Sequence, residues 1–480
     1  MNVSLLIDGA DVKARDNTTF ERRDPVTGEV ASTSPAGKIA DVNAACDAAA
    51  TAFPAWSETG PNERRKLLLK AADMLEARTP EFIKLTMEET GATGPWSGFN
   101  VMFAAKLLRE AACMTTMIHG EVIPSDKPGC LSMSIRQPAG VCVGMAPWNA
   151  PVILGVRSVA MPLACGNTVV MKASETCPAT HMLIGKVLQE AGLPKGVINV
   201  ITHSREDAPQ VVEALIAHPA VRRINFTGSS QVGRIVAQIA AKHLKPVLLE
   251  LGGKAPLLVL DDANIGDAVD AAAFGAFMHQ GQICMSTERI VVDNKIADAF
   301  VEKLAAKANS LPYGNPRDKV VLGSLVSEQA ADRMDVLIKD AVSKGAKLVA
   351  GGKRSGTVWS ATGLDHVNPQ MKIYRDESFG PVKSIIRVDG DDEAVSVAND
   401  TEYGLSAAVF SENIQRAMAV AKRIKSGICH INGPTVNDEP QMPFGGTKDS
   451  GYGRFGGIGS IAEFTELRWI TIESHQHYPF

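Results

Sequence analysis

Apolar runs alternate with amphipathic stretches between residues 140 and 250 of the chain. Short runs rich in valine, leucine and isoleucine are typical of strands buried on both faces, whereas a three-to-four-residue apolar spacing is typical of helices. The pattern predicts strands at 141–145, 168–171, 197–201, 223–226 and 247–251, and helices at 151–164, 178–191, 207–217 and 231–241. This alternation predicts a parallel, doubly wound α/β sheet, which binds ligands at the carboxyl ends of its strands.

A second α/β unit is predicted to begin with the apolar run at 255–260. Its remaining elements are helices near 264–278, 296–310 and 328–344, and strands near 382–388 and 405–410. The segment 38–118 has the apolar spacing of helices. The stretches 120–140 and after about 460 lack a helical partner and are predicted to be extended arms of the kind that pair between subunits.

Composition and charge narrow the class of protein. The 480 residues are 45% hydrophobic and 21% charged, which suits a globular chain of about three structural units. With 49 basic and 53 acidic residues and no basic block, nucleic acid is not an expected partner. The amino terminus lacks the pattern of a signal peptide. The uncharged run 138–156 is long enough to span a membrane, but its prolines and the following Arg157 predict a buried strand, turn and helix instead.

The eight cysteines form no C-x-x-C pair, which predicts free thiols in a reducing cytoplasm and neither a disulfide framework nor a metal site. A free cysteine is more often a buried apolar side chain than a nucleophile. That interpretation is adopted for Cys46, Cys113, Cys165 and Cys177, which lie in apolar or helical stretches. Cys284 differs, because it follows a predicted helix and Gly281 and precedes a polar run.

Two further residues have the chemistry that a nucleophilic cysteine requires. Glu250, in LELGGKAP, ends a predicted strand and is followed by two glycines that let the backbone pass close to a ligand. Asn149, in PWNAP, is a neutral amide in an apolar run and can donate to a developing oxyanion. Taken singly, a solvated acid is the favoured interpretation of Glu250, and a structural amide is the usual interpretation of a buried asparagine.

Two strand ends have features of nucleotide binding. FTGSSQVG places Gly228 and Ser229 between a strand and a helix, where a phosphate can bind, although a simple helix cap fits as well. It is neither a P-loop nor a G-x-G-x-x-G motif. MKASE places Lys172 and Glu175 after another strand, where a carboxylate can accept from ribose hydroxyls and repel a 2′-phosphate; an ordinary surface pair is the alternative.

Together these stretches resemble the NAD(P)-dependent aldehyde dehydrogenase superfamily over essentially the whole chain. The motifs, in chain order, are PWNAP, MKASE, FTGSSQVG, LELGGKAP, GQIC, ESFGPV and PFGGTKDSGYGR. The resemblance implies a Rossmann-type cofactor domain, an α/β catalytic domain and a small β oligomerisation arm. It assigns residues 1–118 and 140–250 to the NAD-binding domain, 251–459 to the catalytic domain, and 119–139 and 460–480 to the arms.

The resemblance also implies roles for individual residues. Cys284 is implied as the nucleophile, Asn149 and the Cys284 backbone N–H as the oxyanion donors, and Glu250 as the general base. NAD is the implied cofactor, and a homodimer or homotetramer the implied assembly. The residues implied at the cofactor are Trp148, Lys172, Glu175, Gly228, Ser229, Glu377 and Phe379.

Departures from the family pattern concern the substrate pocket. Ser286 stands two residues after the cysteine, a change of small consequence. Ala150 replaces an aromatic residue that many members carry, and Arg157 replaces an apolar one. A pocket with space, a cation and an aromatic wall suits a ring aldehyde. The stretch PWNAPVILGVR also resembles the branch of the family that acts on salicylaldehyde, vanillin and benzaldehyde. The residues predicted to line the pocket are Trp96, Ala150, Arg157, Ile283 and Met285.

Several alternatives stay open from the residues alone. Arg157 can pair with a local acid, and Trp96 can be ordinary core. An aliphatic semialdehyde dehydrogenase would use Arg157 to bind a distal carboxylate. A CoA-acylating enzyme needs no hydrolytic base, which the presence of Glu250 disfavours. A catalytically silent protein of the same fold would not need Cys284, Glu250 and Asn149 together.

The cofactor preference follows from the position of Glu175. A carboxylate that accepts from both ribose hydroxyls repels the 2′-phosphate of NADP, so kcat/KM is expected to be higher with NAD than with NADP. Initial rates of NADH and NADPH formation at a fixed aldehyde concentration test this. Equal or higher kcat/KM with NADP would contradict it.

Overall fold

The structure, a computed structural model, describes residues 1–473 and 478–480. The α-helices of these residues are α1 (Ile39–Ser57), α2 (Pro61–Ala77), α3 (Thr79–Thr90), α4 (Gly94–Met114), α5 (Pro151–Ala164), α6 (Pro178–Glu190), α7 (Ala208–Ala217), α8 (Ser230–Lys242), α9 (Ile265–Phe277), α10 (Asn294–Ser310), α11 (Glu328–Ser343), α12 (Lys372–Arg375), α13 (Gly390–Asn399), α14 (Ile414–Ala421) and α15 (Gly459–Glu463).

The strands of the same residues are β1 (Leu5–Ile7), β2 (Ala10–Val12), β3 (Thr19–Arg23), β4 (Val30–Pro35), β5 (Glu121–Ile123), β6 (Leu131–Pro138), β7 (Val141–Met145), β8 (Thr168–Lys172), β9 (Ile198–Ile201), β10 (Val221–Thr227), β11 (Val247–Glu250), β12 (Ala255–Val259), β13 (Thr287–Asp293), β14 (Lys347–Ala350), β15 (Arg354–Ser355), β16 (Val358–Trp359), β17 (Thr362–Asp365), β18 (Val382–Val388), β19 (Ser406–Phe410), β20 (Ile428–Ile431), β21 (Gly451–Tyr452) and β22 (Thr465–Ile472).

An eight-stranded sheet contains the strands predicted between residues 140 and 250. Its order is β2-β1-β9-β8-β7-β10-β11-β21, and the five central strands from β9 to β11 are parallel. The predicted doubly wound α/β fold is therefore confirmed, with element bounds that agree to within a few residues. The antiparallel edge strands β1, β2 and β21 were not predicted, because they are only two or three residues long.

A seven-stranded sheet forms the second α/β unit, in the order β14-β17-β18-β13-β12-β19-β20. All of its pairings are parallel except that of β14 with β17. The chain enters this sheet directly after β11, through residues 251–254. Short β21 returns from the later part of the chain to the first sheet, where it pairs with β11. The predicted domain bounds of 250 and 251 stay a prediction.

Helix α5 lies at the centre of the first unit, and every one of its residues is buried. Pro151 starts it, since proline needs no hydrogen-bond acceptor in the first turn and has a helical φ. Gly144 in β7 permits the close approach, because a Cβ there would lie 2.8 Å from the Ser158 carbonyl oxygen. The Asn225 amide donates to that same oxygen at 3.0 Å. The sheet thereby fixes helix α5, and with it the residues that immediately precede the helix.

The predicted arms form a sheet of their own. Strands β5, β6 and β22 pair antiparallel in the order β22-β6-β5, so the two arms pair with each other within one chain. The tail is not extended from residue 460, since helix α15 occupies its start, and residues 474–477 lie outside the described part. Helices α1 to α4 confirm the helical prediction for 38–118, and no helix in the described ranges is long and apolar enough to cross a membrane.

Candidate active site

The carboxyl ends of four neighbouring parallel strands meet at one edge of the eight-stranded sheet. Strands β8, β7, β10 and β11 lie side by side. Lys172 ends β8, Gly228 follows β10, and Glu250 ends β11, while Trp148 and Asn149 follow β7 closely. The structure thus brings the candidate residues from five motifs to one edge, including Cys284, whose backbone reaches it from the second sheet.

A strained turn carries the Cys284 thiol to this edge. After helix α9 ends, His279 and Gln280 have φ values of 49° and 55°, a left-handed conformation that non-glycine residues rarely adopt. Gly281 has φ 72°, and a Cβ there would lie 2.3 Å from the Gly380 carbonyl oxygen. The turn therefore packs closely against the ESFGPV segment, and the surrounding structure holds its strained backbone in place.

Glu250 is buried beside the cysteine. Its residue is 1% exposed, and neither carboxylate oxygen meets hydrogen-bond geometry with any described residue. The backbone of Gly253 approaches Cys284 so closely that a Cβ would lie 2.3 Å from the Cys284 carbonyl oxygen. Gly253 is therefore needed for the close packing of these two segments. An unpaired buried carboxylate is costly, which makes Glu250 an acceptor in need of a donor.

Burial dominates the electrostatics of the pair. It raises the pKa of Glu250 to about 8, and the positive charge of Arg157 only partly offsets that effect. Burial and the negative charge of Glu250 raise the pKa of the Cys284 thiol well above its ordinary value. In this state the cysteine is therefore a neutral thiol next to a carboxyl group that can take up a proton near neutral pH.

Asn149 is held by two hydrogen bonds. Its side-chain Nδ2 donates to the Gln282 carbonyl oxygen at 3.0 Å, which ties it to the cysteine turn. Its own carbonyl oxygen accepts from Trp96 Nε1 at 3.0 Å. The amide is 5% exposed and lines the same cavity as Cys284. A second N–H of the amide is thus close to the thiol and available to a ligand.

A largely apolar cavity of about 460 Å³ opens on the thiol. Aromatic side chains form much of its wall, among them Phe99, Phe103, Phe274 and Phe444. The residues predicted to line the pocket are all part of this wall, namely Trp96, Ala150, Arg157, Ile283 and Met285. Trp96 stacks on His279 with ring centroids 4.7 Å apart, so it braces the cysteine turn as well as forming a wall. Ser286 lies outside the wall and donates to the Gly275 carbonyl oxygen at 2.9 Å.

Arg157 is not the free cation that the sequence suggested. Its guanidinium forms an ion pair with Asp438, and its central carbon lies 4.4 Å from the centroid of the Phe444 ring. The alternative of a local acidic partner is therefore correct for Arg157, although the residue does line the cavity. The sequence could not reveal this pairing, because Asp438 lies 281 positions from Arg157 in the chain.

The ESFGPV segment carries Glu377 and Phe379 to the same edge. Glu377 accepts from the Gly253 backbone N–H at 3.0 Å, and burial raises its pKa to about 7. Phe379 packs edge-on against Trp148, with centroids 5.8 Å apart.

A buried cluster around Glu288 holds that segment in place. Glu288 accepts from the ammonium groups of Lys254 at 2.7 Å and Lys383 at 2.6 Å. It also accepts from the backbone N–H of Ser378 at 2.8 Å and from the Ser378 hydroxyl. All four residues are buried. Nothing in the sequence patterns pointed to this cluster, because its members come from two strands and two loops.

The remaining candidates lie where the strands end. Lys172 Nζ is 3.9 Å from Glu175 Oε2. Burial raises the pKa of Glu175, but Lys172 together with a backbone hydrogen bond and the charges of His203 and Arg205 makes the net shift downward. The Ser229 side chain caps helix α8, accepting from the Val232 N–H at 3.3 Å, so the helix-cap interpretation is correct as geometry. Gly228 is required here, since a Cβ would lie 2.4 Å from the Phe226 ring.

The other cysteines mostly follow the packing interpretation. Cys46, Cys165 and Cys177 are buried, but Cys113 is exposed on helix α4, so its assignment to packing was wrong. The apolar spacing of α4 does not distinguish its buried face from the rim, where Cys113 lies. Among residues 1–473 and 478–480, all eight cysteines are free, and no group of histidine, cysteine and acidic side chains has the geometry of a metal site.

Comparison with known proteins agrees with this geometry. The model of the aldehyde dehydrogenase family matches residues 12–470. The chain is 60% identical to a vanillin dehydrogenase of Pseudomonas fluorescens, over the full length of both proteins. It is 38% identical to an NAD⁺ benzaldehyde dehydrogenase of Pseudomonas putida, covering 95% of this chain and 94% of the relative.

A solved structure is similar over the whole chain. The crystal structure of a salicylaldehyde dehydrogenase from Pseudomonas putida G7, complexed with salicylaldehyde, superposes with a TM-score of 0.98 at 51% identity. It covers all of this chain and all of its own. The fold is therefore that of a family with solved members.

The raised pKa of Glu250 predicts a pH-dependent effect on stability. The folded chain keeps this proton up to about pH 8, whereas the unfolded chain loses it near 4.5. The stability that the neutral carboxyl contributes is therefore lost as the pH rises through this range. Relative to the wild type, Glu250→Gln should become more stable between about pH 5 and pH 8, as measured by denaturant unfolding followed by tryptophan fluorescence.

Glu288→Gln is the matched control, because it removes a buried carboxylate of opposite behaviour. Burial alone would raise the pKa of Glu288, but the two lysines lower this pKa to about 2. Its contribution is lost only as the pH falls towards that value, so the variant should be less stable by about 3–5 kcal/mol at every pH from about 5 to 8. A pH-independent difference for Glu250→Gln would contradict the assignment of a raised pKa.

Proposed function

The chain belongs to the aldehyde dehydrogenase family, and on that premise we propose that it oxidises an aromatic aldehyde to the carboxylic acid with NAD as cofactor. The observation that carries the proposal is the aromatic cavity that opens on Cys284 and Asn149. Such a cavity encloses a flat ring and leaves its aldehyde group at the thiol. The named relatives that act on vanillin, salicylaldehyde and benzaldehyde support the same substrate class.

Cys284 is the nucleophile of the proposed reaction. Its sulfur attacks the aldehyde carbon, and its thiol proton passes to a base, for which the buried carboxylate of Glu250 is the nearest candidate. The negative charge that develops on the aldehyde oxygen is stabilised by the Asn149 amide and the Cys284 backbone N–H. Because the hydrogen bond to the Gln282 carbonyl oxygen fixes the amide, it needs no reorganisation during the reaction.

Glu250 acts again in the second half of the reaction. Loss of hydride from the thiohemiacetal carbon leaves a thioester on Cys284, which water must hydrolyse. A carboxylate with a pKa of about 8 is a suitable base for this water, since its affinity for a proton is matched to neutral or slightly basic pH. Neither oxygen of Glu250 accepts a hydrogen bond from the described residues, so both remain available as acceptors for a water molecule that reaches the site.

The dinucleotide fits the carboxyl edge of the first sheet. When bound, its nicotinamide ring supplies the hydride acceptor. Glu377, aligned by the Gly253 N–H, and Glu175 supply carboxylates for the two riboses, and the α8 amino terminus at Ser229 supplies N–H groups for phosphate. Trp148 and Phe379 form the wall between this side and the thiol.

Members of the family use NAD(P), and Glu175 supports NAD for this chain. Burial raises the pKa of Glu175, but Lys172, a backbone hydrogen bond and the neighbouring His203 and Arg205 together keep it low, so the carboxylate is charged at neutral pH. A charged acceptor favours free ribose hydroxyls and disfavours a 2′-phosphate. The NAD⁺ benzaldehyde dehydrogenase among the relatives agrees with this preference. The free cysteines support a cytoplasmic location.

A semialdehyde substrate is the weaker alternative. Its distal carboxylate would require an unpaired cation inside the cavity, whereas Arg157 is already paired with Asp438 and Lys106, the other cation of the wall, is exposed on helix α4. A second carboxylate beside Asp438 would be repelled. A catalytically silent protein is weaker still, because it would have no use for an unpaired buried carboxylate next to a thiol.

A homo-oligomer, either dimer or tetramer, is part of the proposal. Leu467 and Trp469 lie on one face of β22 and are 61% and 74% exposed. Large apolar side chains exposed side by side on a sheet are typical of an interface. The arm sheet is therefore the surface through which we expect copies of the chain to associate.

A survey of aldehydes tests the substrate class. NADH formation should be faster, as kcat/KM, with benzaldehyde, salicylaldehyde and vanillin than with short aliphatic aldehydes or succinic semialdehyde. Cys284→Ala should abolish turnover by removing the nucleophile while leaving the fold intact. A higher kcat/KM for the aliphatic aldehydes would contradict the aromatic assignment, and persistent turnover in Cys284→Ala would contradict the role of the thiol.

A charged substitution in the arm sheet, which consists of β22, β6 and β5, tests the assembly. Leu467→Lys should lower the native mass measured by light scattering, since a buried ammonium without a partner is costly at an interface. Val336→Lys, on helix α11 and 51% exposed, is the control and should leave the mass unchanged. A monomeric wild type, or an unchanged mass for Leu467→Lys, would be the contrary result.

A further inference from the structure

Asp438 presents an unsatisfied oxygen in the wall of the substrate cavity. Its Oδ2 accepts from Arg157 Nη2, while its Oδ1 is buried and has no hydrogen-bond partner in residues 1–473 or 478–480. Both residues line the cavity. Because a buried acceptor without a donor is costly, this oxygen is a binding position for a group that brings a hydrogen.

The position of the oxygen is fixed. Arg157 lies over the Phe444 ring at 4.4 Å and near the Phe455 ring at 5.9 Å, so it cannot turn without losing both contacts. Its side chain is 5% exposed and that of Asp438 is 14% exposed. The ion pair therefore holds the carboxylate in one orientation, with Oδ2 on the guanidinium and Oδ1 left for a ligand.

The remainder of the wall offers no competing acceptor of this kind. Apart from Asn149, Cys284 and Asn437, the side chains around the pair are apolar or aromatic, or belong to the paired Arg157 and to Lys106. A ring substituent that donates a hydrogen would therefore find Asp438 as its charged acceptor. An ether or an unsubstituted ring would leave the same oxygen without a donor.

We propose that Asp438 is a specificity-determining residue that accepts a hydrogen bond from a ring hydroxyl of the aromatic aldehyde. The inference rests on the proposed function and narrows its substrate class to hydroxylated rings. Arg157 is the positioning residue, which orients the carboxylate through Nη2; its Nε, also buried without a partner in the described residues, is a donor and cannot take the hydroxyl hydrogen. A site that binds a hydroxyl rejects the analogue lacking it more strongly than an apolar pocket rejects an added one.

The test compares each hydroxybenzaldehyde with its methyl ether and with benzaldehyde. Because bonds to charged groups are the stronger ones, we expect the wild type to show at least about a tenfold higher kcat/KM for one of the 2-, 3- and 4-hydroxy isomers than for its methyl ether. The isomer that shows the preference reports which ring position lies at Asp438. Benzaldehyde serves as the reference for turnover without a substituent.

Asp438→Asn should remove this preference. The Arg157 guanidinium needs an acceptor, so the new amide turns its oxygen towards Arg157 and its NH₂ towards the cavity. The hydroxyl-to-methoxy ratio of kcat/KM is then expected to fall by about tenfold or more, while kcat/KM for benzaldehyde changes far less. Glu439→Gln, a neighbouring exposed carboxylate outside the cavity wall, is the matched control and should leave the ratio unchanged.

A second variant tests the same role if Asp438→Asn does not fold. The double variant Arg157→Met, Asp438→Leu replaces the buried ion pair by an apolar pair, a change that proteins often tolerate. It also lacks the acceptor and should lose the same preference. A merely structural role for Asp438 would lower kcat/KM for all of the aldehydes by the same factor.

A failure of the role of Asp438 and a failure of the proposed function give different results. If the wild type turns over benzaldehyde and the ratio is within about twofold of one for all three isomers, or is unchanged by Asp438→Asn, the role of Asp438 is wrong and the proposed function stands. If the wild type oxidises no aromatic aldehyde, the proposed function itself is wrong.

Discussion

The buried carboxylate of Glu288 is the interaction on which the arrangement of the active edge depends. Lys254 follows the two glycines after Glu250, Lys383 lies in β18, and Ser378 stands between Glu377 and Phe379. Glu288 lies four residues after Cys284. Its carboxylate therefore binds both the chain where it leaves the first sheet and the loop that faces this part of the chain. Removing one partner from such a cluster leaves an uncompensated buried charge, which is why the cluster holds these segments so firmly.

Desolvation is the common cause of the chemistry at this edge. The same burial that makes Glu250 a carboxyl with a pKa of about 8 also keeps the Cys284 thiol neutral. Neither group is poised by a nearby free cation, since Arg157 is neutralised by Asp438. A proton can then pass between the two neighbouring groups without bulk water, and the low-polarity surroundings strengthen each hydrogen bond made during the reaction.

The substrate cavity combines an apolar wall with one charged pair. Aromatic rings provide area and shape for a flat ligand, but area alone discriminates weakly between rings with different substituents. A buried ion pair with one satisfied and one unsatisfied oxygen supplies the missing discrimination. Because Asp438 neutralises Arg157, the arginine in this cavity need not select a substrate that carries a carboxylate.

The sequence by itself determined the parallel α/β fold and the helical segment before it, and it singled out Cys284, Glu250 and Asn149 as candidates that the structure brings to one edge. Alternating buried strands and helices leave few topologies open, and glycine is required where two backbones meet at Gly253 and Cys284. Only the tertiary structure decided the partner of Arg157 and the Glu288 cluster, and it alone revealed that the arms pair with each other. These are contacts between side chains or strands far apart in the chain, and local periodicity carries no information about which distant charges or edges will meet.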